Sequence, residues 1–140
     1  MPKIRPLAIC VFREGDQILV SEGYDPVKKQ TFYRPLGGGI EFGENSEEAV
    51  RREIKEELGV EIEELEFLAT LENIFVFNGE RGHEIVRVYV GRMTDPRYSG
   101  QAEMSAHEDN GETIKVVWKD IEDFNSQTPL YPDGLLELLN

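Results

Sequence analysis

Cysteine is almost absent: Cys10 stands alone in a chain of 140 residues, so no internal disulfide can form. Histidine is nearly as scarce, with only His83 and His107, far apart. A zinc site needs three or four nitrogen or sulfur ligands, so any metal must be held mainly by oxygen, which points to Mg²⁺, Mn²⁺ or Ca²⁺. Long hydrophobic runs are missing too. Leu7–Phe12, ended by Arg13-Glu14, is too short for a signal-peptide core or a membrane span. Positive charge is in short supply, with 15 Lys and Arg against 28 Asp and Glu and a net charge of −13. Such a surface repels long nucleic acid and anionic lipid. It still admits small phosphorylated substrates, because divalent cations bridge acid to phosphate. No repeat, low-complexity stretch or Pro/Ser-rich linker interrupts the chain. The expectation is a single cytoplasmic domain over 1–140, with no membrane partner.

What is present reads as an α+β pattern. Arg5–Arg13 and Gln17–Glu22 are apolar and β-branched around the turn Glu14-Gly15-Asp16, which predicts a hairpin. Gly23–Thr31 reads as a loop, Phe32–Arg34 as a short extended piece before Pro35, and Gly37-Gly38-Gly39 as a flexible corner. The period then changes. Asn45 or Ser46 caps a helix in which Val50, Ile54 and Leu58 form one apolar stripe, and Gly59 stops it. Glu66–Phe77 and Glu84–Met93 are predicted strands around Asn78-Gly79. Thr94–Gly111 reads as a long loop, Thr113–Trp118 as a strand, Asp120–Phe124 as a helical turn and Pro132–Leu139 as a short helix. The pattern predicts a mixed sheet with helices on both faces.

The long helix carries the chemistry. At helical spacing Glu53, Glu56 and Glu57 share an arc of about 100°, beside the buried stripe. Ala49 lies within that arc and leaves room above Glu53, while Arg52 sits where it can orient Glu56. Carboxylates at i, i+3 and i, i+4 repel by a few tenths of a kcal/mol per pair. Either the face is simply solvated, or a divalent cation converts the repulsion into coordination.

The flanking residues extend this pattern. Gly38, Glu44, Arg52-Glu53-Ile54, Glu56-Glu57 and Gly59-Val60 occur at fixed spacing over 23 residues. This resembles the Nudix hydrolase signature, and all nine specified positions match. The resemblance implies the family's α/β/α sandwich, with residues 38–60 as a loop–helix–loop. It implies hydrolysis of a nucleoside diphosphate linked to another moiety, with Mg²⁺ or Mn²⁺. Glu53 and Glu57 would be metal ligands, with Glu56 a further ligand, an orienting group or a base. Glu44 would support the cluster, Arg52 would fix the glutamates by ion pairing, and the carbonyl of Gly37 or Gly38 would add a ligand. A Nudix-like module that binds a nucleotide without cleaving it is the alternative.

Beyond the signature, Arg34 precedes the glycine corner and can reach a phosphate, or pair with Glu41 at the surface. Tyr33, like Phe32, Phe75, Phe77 and Tyr89, can stack on a base or fill the core. His83 is expected to be structural or exposed, and Cys10 buried and inert. The C-terminal leucines pack in the core or between two copies of the chain. For the base that activates water, Glu112 ranks first because a strand follows it, Glu108 second and Glu56 third; Glu103 and Glu108 lie in the long loop and would act only if it closes over substrate.

Overall fold

A computed structural model describes residues 2–93, 103–107 and 111–140. The described strands are β1 (Ile4–Glu14), β2 (Gln17–Asp25), β3 (Gln30–Arg34), β4 (Leu36–Gly39), β5 (Ile62–Phe77), β6 (Glu80–Met93), β7 (Glu103–His107) and β8 (Thr113–Asp120). Helix α1 is Ser46–Leu58 and helix α2 Leu135–Leu139, with a 3₁₀ turn at Ile121–Asp123. The strands run in the order β5-β6-β1-β2-β8-β7, with β3 added to β2 and β4 to β1.

The central strand explains the layering. Side chains alternate between sheet faces, yet β1 is apolar on both. Leu7, Ile9 and Val11 join a core with Ile18, Val86, Val88, Phe124, Leu130 and Leu135. Ala8, Cys10 and Phe12 join the opposite core, under Val50, Ile54 and Leu58 of α1. Burial raises the Cys10 thiol well above its ordinary pKa, so it stays an inert thiol. One helix layer is α1 and the other is the C-terminal segment ending in α2. This is the expected α/β/α arrangement.

β1 pairs in parallel with β6, from Ile4↔His83 to Phe12↔Gly91. Its pairing with β2 is confined to the hairpin end, Arg13↔Ile18 and Glu14↔Gln17. Beyond that point the two strands part. β1 takes β4 as its neighbour, from Leu7↔Gly39 to Cys10↔Leu36, while β2 takes β3 and β8. The sheet therefore forks, and a cleft opens between its arms.

Three expectations are corrected. The loop expected over Gly23–Thr31 shrinks to residues 26–29, because β2 runs on to Asp25 and β3 starts at Gln30, the two strands pairing as a hairpin. The glycine corner is the strand β4, and glycine is required there for close approach: a Cβ on Gly37, at φ 151°, would lie 2.1 Å from the Ala8 carbonyl oxygen. The single long loop expected over Thr94–Gly111 is interrupted by β7, whose Met104 and Ala106 pair with Val116 and Ile114. Glu-Met-Ser-Ala-His has little β propensity of its own; β8 supplies the ladder, and Ala106 is small enough to be buried on the α1 side. The rest of that stretch, apart from Gly111, lies outside the described residues.

The second helix layer is thin, so its contribution is testable. Leu135 is fully buried against the β1 face. Leu135→Ala should lower unfolding free energy in urea by about 2–5 kcal/mol, the usual range for a truncated core leucine. A loss under about 1 kcal/mol would show that α2 does not close this core.

Candidate active site

Helix α1 starts at a capping box: Asn45 accepts from the Glu48 amide and the Glu48 side chain accepts from the Asn45 amide. It ends at Gly59, φ 72°, whose N–H donates to the Lys55 carbonyl. Both ends being set, the rotation of the helix is fixed by its buried stripe, and its glutamates separate. Glu53 and Glu57, 5% and 8% exposed, are turned into the protein. The Glu56 side chain, 45% exposed, is turned out.

Arg52 is the hub. Its Nε and Nη2 donate to the two Glu44 carboxylate oxygens at 2.8 and 3.0 Å, and Nη2 also donates to the Gly39 carbonyl at 3.0 Å. Its Nη1 donates to Glu53 at 3.0 Å and to Glu56 at 3.4 Å. The planar fork thus ties the segment after β4 to the helix and offsets the repulsion among the acids. The expected pairing of Arg52 with Glu56 is there, and the tighter bonds go to Glu44 and Glu53. Hydrogen bonds from Arg52, with a further one from the Glu41 amide, hold the Glu44 carboxyl down at about 2. Its carboxylate partners push Arg52 further above its ordinary value.

Glu53 lies directly over Gly38. A Cβ there would meet the Glu53 carboxyl carbon at 2.4 Å and its oxygens at 2.6 and 2.7 Å. Gly38, which opens the signature, is therefore a glycine because the Glu53 carboxylate occupies the space of its side chain. Glu53, Glu57 and the Gly37–Gly39 backbone line one wall of a cleft of about 350 Å³. Arg5, Arg34 and Glu84 lie in the same cleft.

Glu84 is the residue that sequence reasoning passed over. It is buried on β6, with Arg34 at 3.4 Å and Arg5 at 3.8 Å. Its signal was faint: it follows His83 in a strand start, and only the parallel register Arg5↔Glu84 brings its partner beside it. Arg34 lines the cleft and pairs with Glu84 rather than Glu41, which lies near Arg52. Tyr33 is corrected. Adjacent strand residues face opposite ways, so with Arg34 in the cleft Tyr33 packs on Phe124 and donates to Glu22 at 2.9 Å.

Beyond Arg34 and Glu84 lies a second chamber of about 330 Å³. It shares Arg5, Ser21, Arg34, Glu84 and Ile114 with the first, and adds Phe32, Phe75, Phe77, Tyr131 and Asn73. Phe32 meets Phe77 and Tyr131 at centroid distances of 5.7 and 5.8 Å.

Residues 2–137 match the sequence profile of the NUDIX domain. The chain belongs to the NUDIX family.

Among curated proteins it is similar to the NAD-capped RNA hydrolase NudC of Photobacterium profundum, 32% identical over 69 residues. It is also similar to the mitochondrial NAD(P)H pyrophosphatase NUDT13 of Homo sapiens, 35% identical over 69 residues. Each alignment covers 49% of this chain but only 25% and 19% of those longer proteins. Among solved structures it superposes on a MutT NUDIX hydrolase from Burkholderia pseudomallei with TM-score 0.62 and 24% identity, covering 97% of this chain and 96% of that one. A NUDIX hydrolase from Nitrosomonas europaea gives TM-score 0.66 at 18% identity, over 98% and 86% of the two chains. At these identities the structural likeness establishes the fold.

The donor set of this NUDIX chain fits a hard divalent cation. Glu53 and Glu57 are buried, all-oxygen and on one helical turn, above a glycine backbone with no side chain in the way. Among the described residues no three His, Cys, Asp or Glu groups come together as a metal cluster, in keeping with Glu56 reaching toward Arg52. Of the base candidates, Glu112 is exposed just ahead of β8, and Ile114 is the β8 residue that lines the cleft. Glu108 lies outside the described residues, as does the Glu103 side chain. Also among the described residues, no helix is long and apolar enough to cross a membrane.

Because Glu44 is held at about 2 against an ordinary 4.5, its bond to Arg52 stabilises the fold fully above the higher value. That stabilisation is lost as pH falls from 4.5 toward about 2. Wild type and Glu44→Gln, compared in urea at stepped pH, should differ by a constant amount near neutrality and converge in that acid window. A difference unchanged down to the lower limit would mean the pair does not stabilise the fold.

Proposed function

We propose that this single NUDIX domain is a pyrophosphohydrolase that uses Mg²⁺ or Mn²⁺ to cleave a nucleoside diphosphate linked to another moiety. The observation that carries the reading is one cleft with two buried carboxylates on α1 and two arginines, gathered by a buried glutamate, among the facing strands. Arg34, with Arg5 beside it, neutralises and aligns phosphate oxygens. Glu53 and Glu57 would hold the metal, with the Gly37 carbonyl within the same wall. A bound divalent cation would supply charge neutralisation at the phosphate and a more acidic water. Arg52 keeps Glu53 aimed at the cleft, and Glu56 is placed to join it when its bond to Arg52 opens.

In the reaction, a water oxygen bonds to one phosphorus while its bond to the bridging oxygen breaks, and that oxygen leaves on the other phosphoryl group with whatever that group carries. The water's proton passes to a carboxylate, with Glu112, Glu108 and Glu56 as candidates in that order. Two relatives, an NAD(P)H pyrophosphatase and an NAD-capped RNA hydrolase, support a dinucleotide-type pyrophosphate as one member of the substrate class. The acidic surface favours small nucleotides over long nucleic acid.

Cleavage of nucleoside triphosphates, ADP-ribose and dinucleotides, read as the nucleoside monophosphate each releases with and without Mg²⁺, tests the reading. Glu53→Gln and Glu57→Gln should each lower kcat at least about 10²-fold while the apo melting temperature holds or rises, because each relieves repulsion among acids. Near-wild-type turnover in either variant would overturn the metal assignment. Nucleotide binding without turnover in wild type would favour the sensing module instead. Among base variants at saturating Mg²⁺, Glu112→Gln is expected to lose kcat with metal affinity intact. If neither Glu112→Gln nor Glu108→Gln slows turnover more than about threefold, Glu56 becomes the base.

A further inference from the structure

The chamber beyond Arg34 has features that phosphate chemistry does not explain. Two of its rings lie on glycines across the strand. A Cβ on Gly23 would meet Phe32 ring carbons at 2.4 to 3.0 Å, and one on Gly82 would meet Phe75 ring carbons at 2.2 to 2.8 Å. The pairings Gly23↔Phe32 and Phe75↔Gly82 belong to different arms of the forked sheet. Each arm has thus given up a side chain to let a phenylalanine lie flat, and both rings face one cavity. Flat aromatic walls suit a planar ring between them.

Most of the polar lining, Lys28 and Tyr131 apart, is engaged within the protein. Asp25 is fully engaged: its carboxylate accepts from the amides of Val27, Lys28 and Asn78. Gln30 donates to the Ser126 carbonyl, and Glu22 accepts from Tyr33 and pairs with Lys115. Glu84 is held by the two arginines. Asn73 differs. It is 3% exposed, and its Oδ1 accepts from the Asp133 amide at 3.3 Å. That bond fixes which side of the amide is oxygen and leaves the Nδ2 hydrogens, which have no acceptor among the described residues, as its donors toward the chamber. Those hydrogens are left to water in the chamber until a ligand displaces it.

We infer that Asn73 is a specificity-determining residue, donating from Nδ2 to an exocyclic keto oxygen of a nucleobase stacked between Phe32 and Phe75. The assignment rests on the nucleotide-hydrolase reading and deepens it. A keto oxygen projects beyond the ring edge and reaches a donor set into the chamber wall. An amino group in that place would set donor against donor. The sugar and first phosphate then lead past Arg34 toward Glu53 and Glu57, since the two cavities share Arg34 and Glu84.

The test uses inosine and adenosine 5′-monophosphates, whose bases differ at position 6, keto against amino, and at N1, N–H against acceptor. Binding is read by calorimetry, apart from any turnover. Wild type should bind the inosine form at least about threefold tighter, on the scale of one hydrogen bond. Asn73→Asp keeps an acceptor for the Asp133 amide and removes both donors, so the preference should vanish or reverse. Asn73→Ala, if it is the better-folded variant by melting temperature, should flatten it. Phe75→Leu should weaken both ligands by a similar factor and keep the ratio. Equal binding by wild type, or an undiminished preference in both Asn73 variants, overturns the inference. If pyrophosphate cleavage proceeds while the base preference ignores Asn73, this inference fails and the hydrolase reading stands. If the preference depends on Asn73 but no substrate is cleaved, the base site stands and the hydrolase reading fails.

Discussion

One guanidinium holds the site together. Burying Glu53 and Glu57 side by side on a single helix turn is unfavourable, because each carboxylate loses water and meets another negative charge. Arg52 offsets this from the flank, with one nitrogen on Glu53 and two on Glu44. Through the Gly39 carbonyl it also ties the end of β4 to α1. Gly38 is then brought beneath the Glu53 carboxyl, and only hydrogen fits between them. The acid helix, the strand below it and the segment between them are thus positioned by one residue, and a lysine there would lack the fork to do so.

The rest of the site follows from how the sheet divides. β1 and β2 begin as an ordinary hairpin and part after two residue pairs, so the arms carry different strands. One arm presents the glycine strand and, through α1, the carboxylates. The other presents Arg34 and the aromatic residues of β3. Glu84 lies between them and keeps Arg34 and Arg5 gathered at the junction of the two cavities. In a chain of net charge −13 this is a local concentration of cations, placed where a phosphate chain would cross.

Much of the architecture was legible in the chain. Helix α1 was marked by its stripe, its acidic first turn and Gly59, and the structure resolves its cap in favour of Asn45. The two-sided burial of β1 follows from an apolar run without alternation. β7 was illegible because its ladder depends on β8 and its residues have no strand preference of their own. β4 was illegible because a glycine triplet signals freedom, whereas here the glycines allow close contact with β1. Tyr33 and Arg34 were both candidates; the pleat sends only one of two neighbours to the cleft.

The sequence by itself determined the local chemistry: which carboxylates share a helix face, where that helix starts and stops, and that any metal must be held by oxygen. These depend on spacings of a few residues, which helix geometry converts directly into positions. Tertiary structure decided which of those groups are buried. It turned Glu53 and Glu57 inward and Glu56 outward, set Glu84 between two arginines about 50 and 80 residues away in the chain, and left the Asn73 amide facing a chamber built from both arms. Burial and long-range pairing come from strand register and from the fork in the sheet. They are properties of how distant segments meet, and no short window of residues contains them.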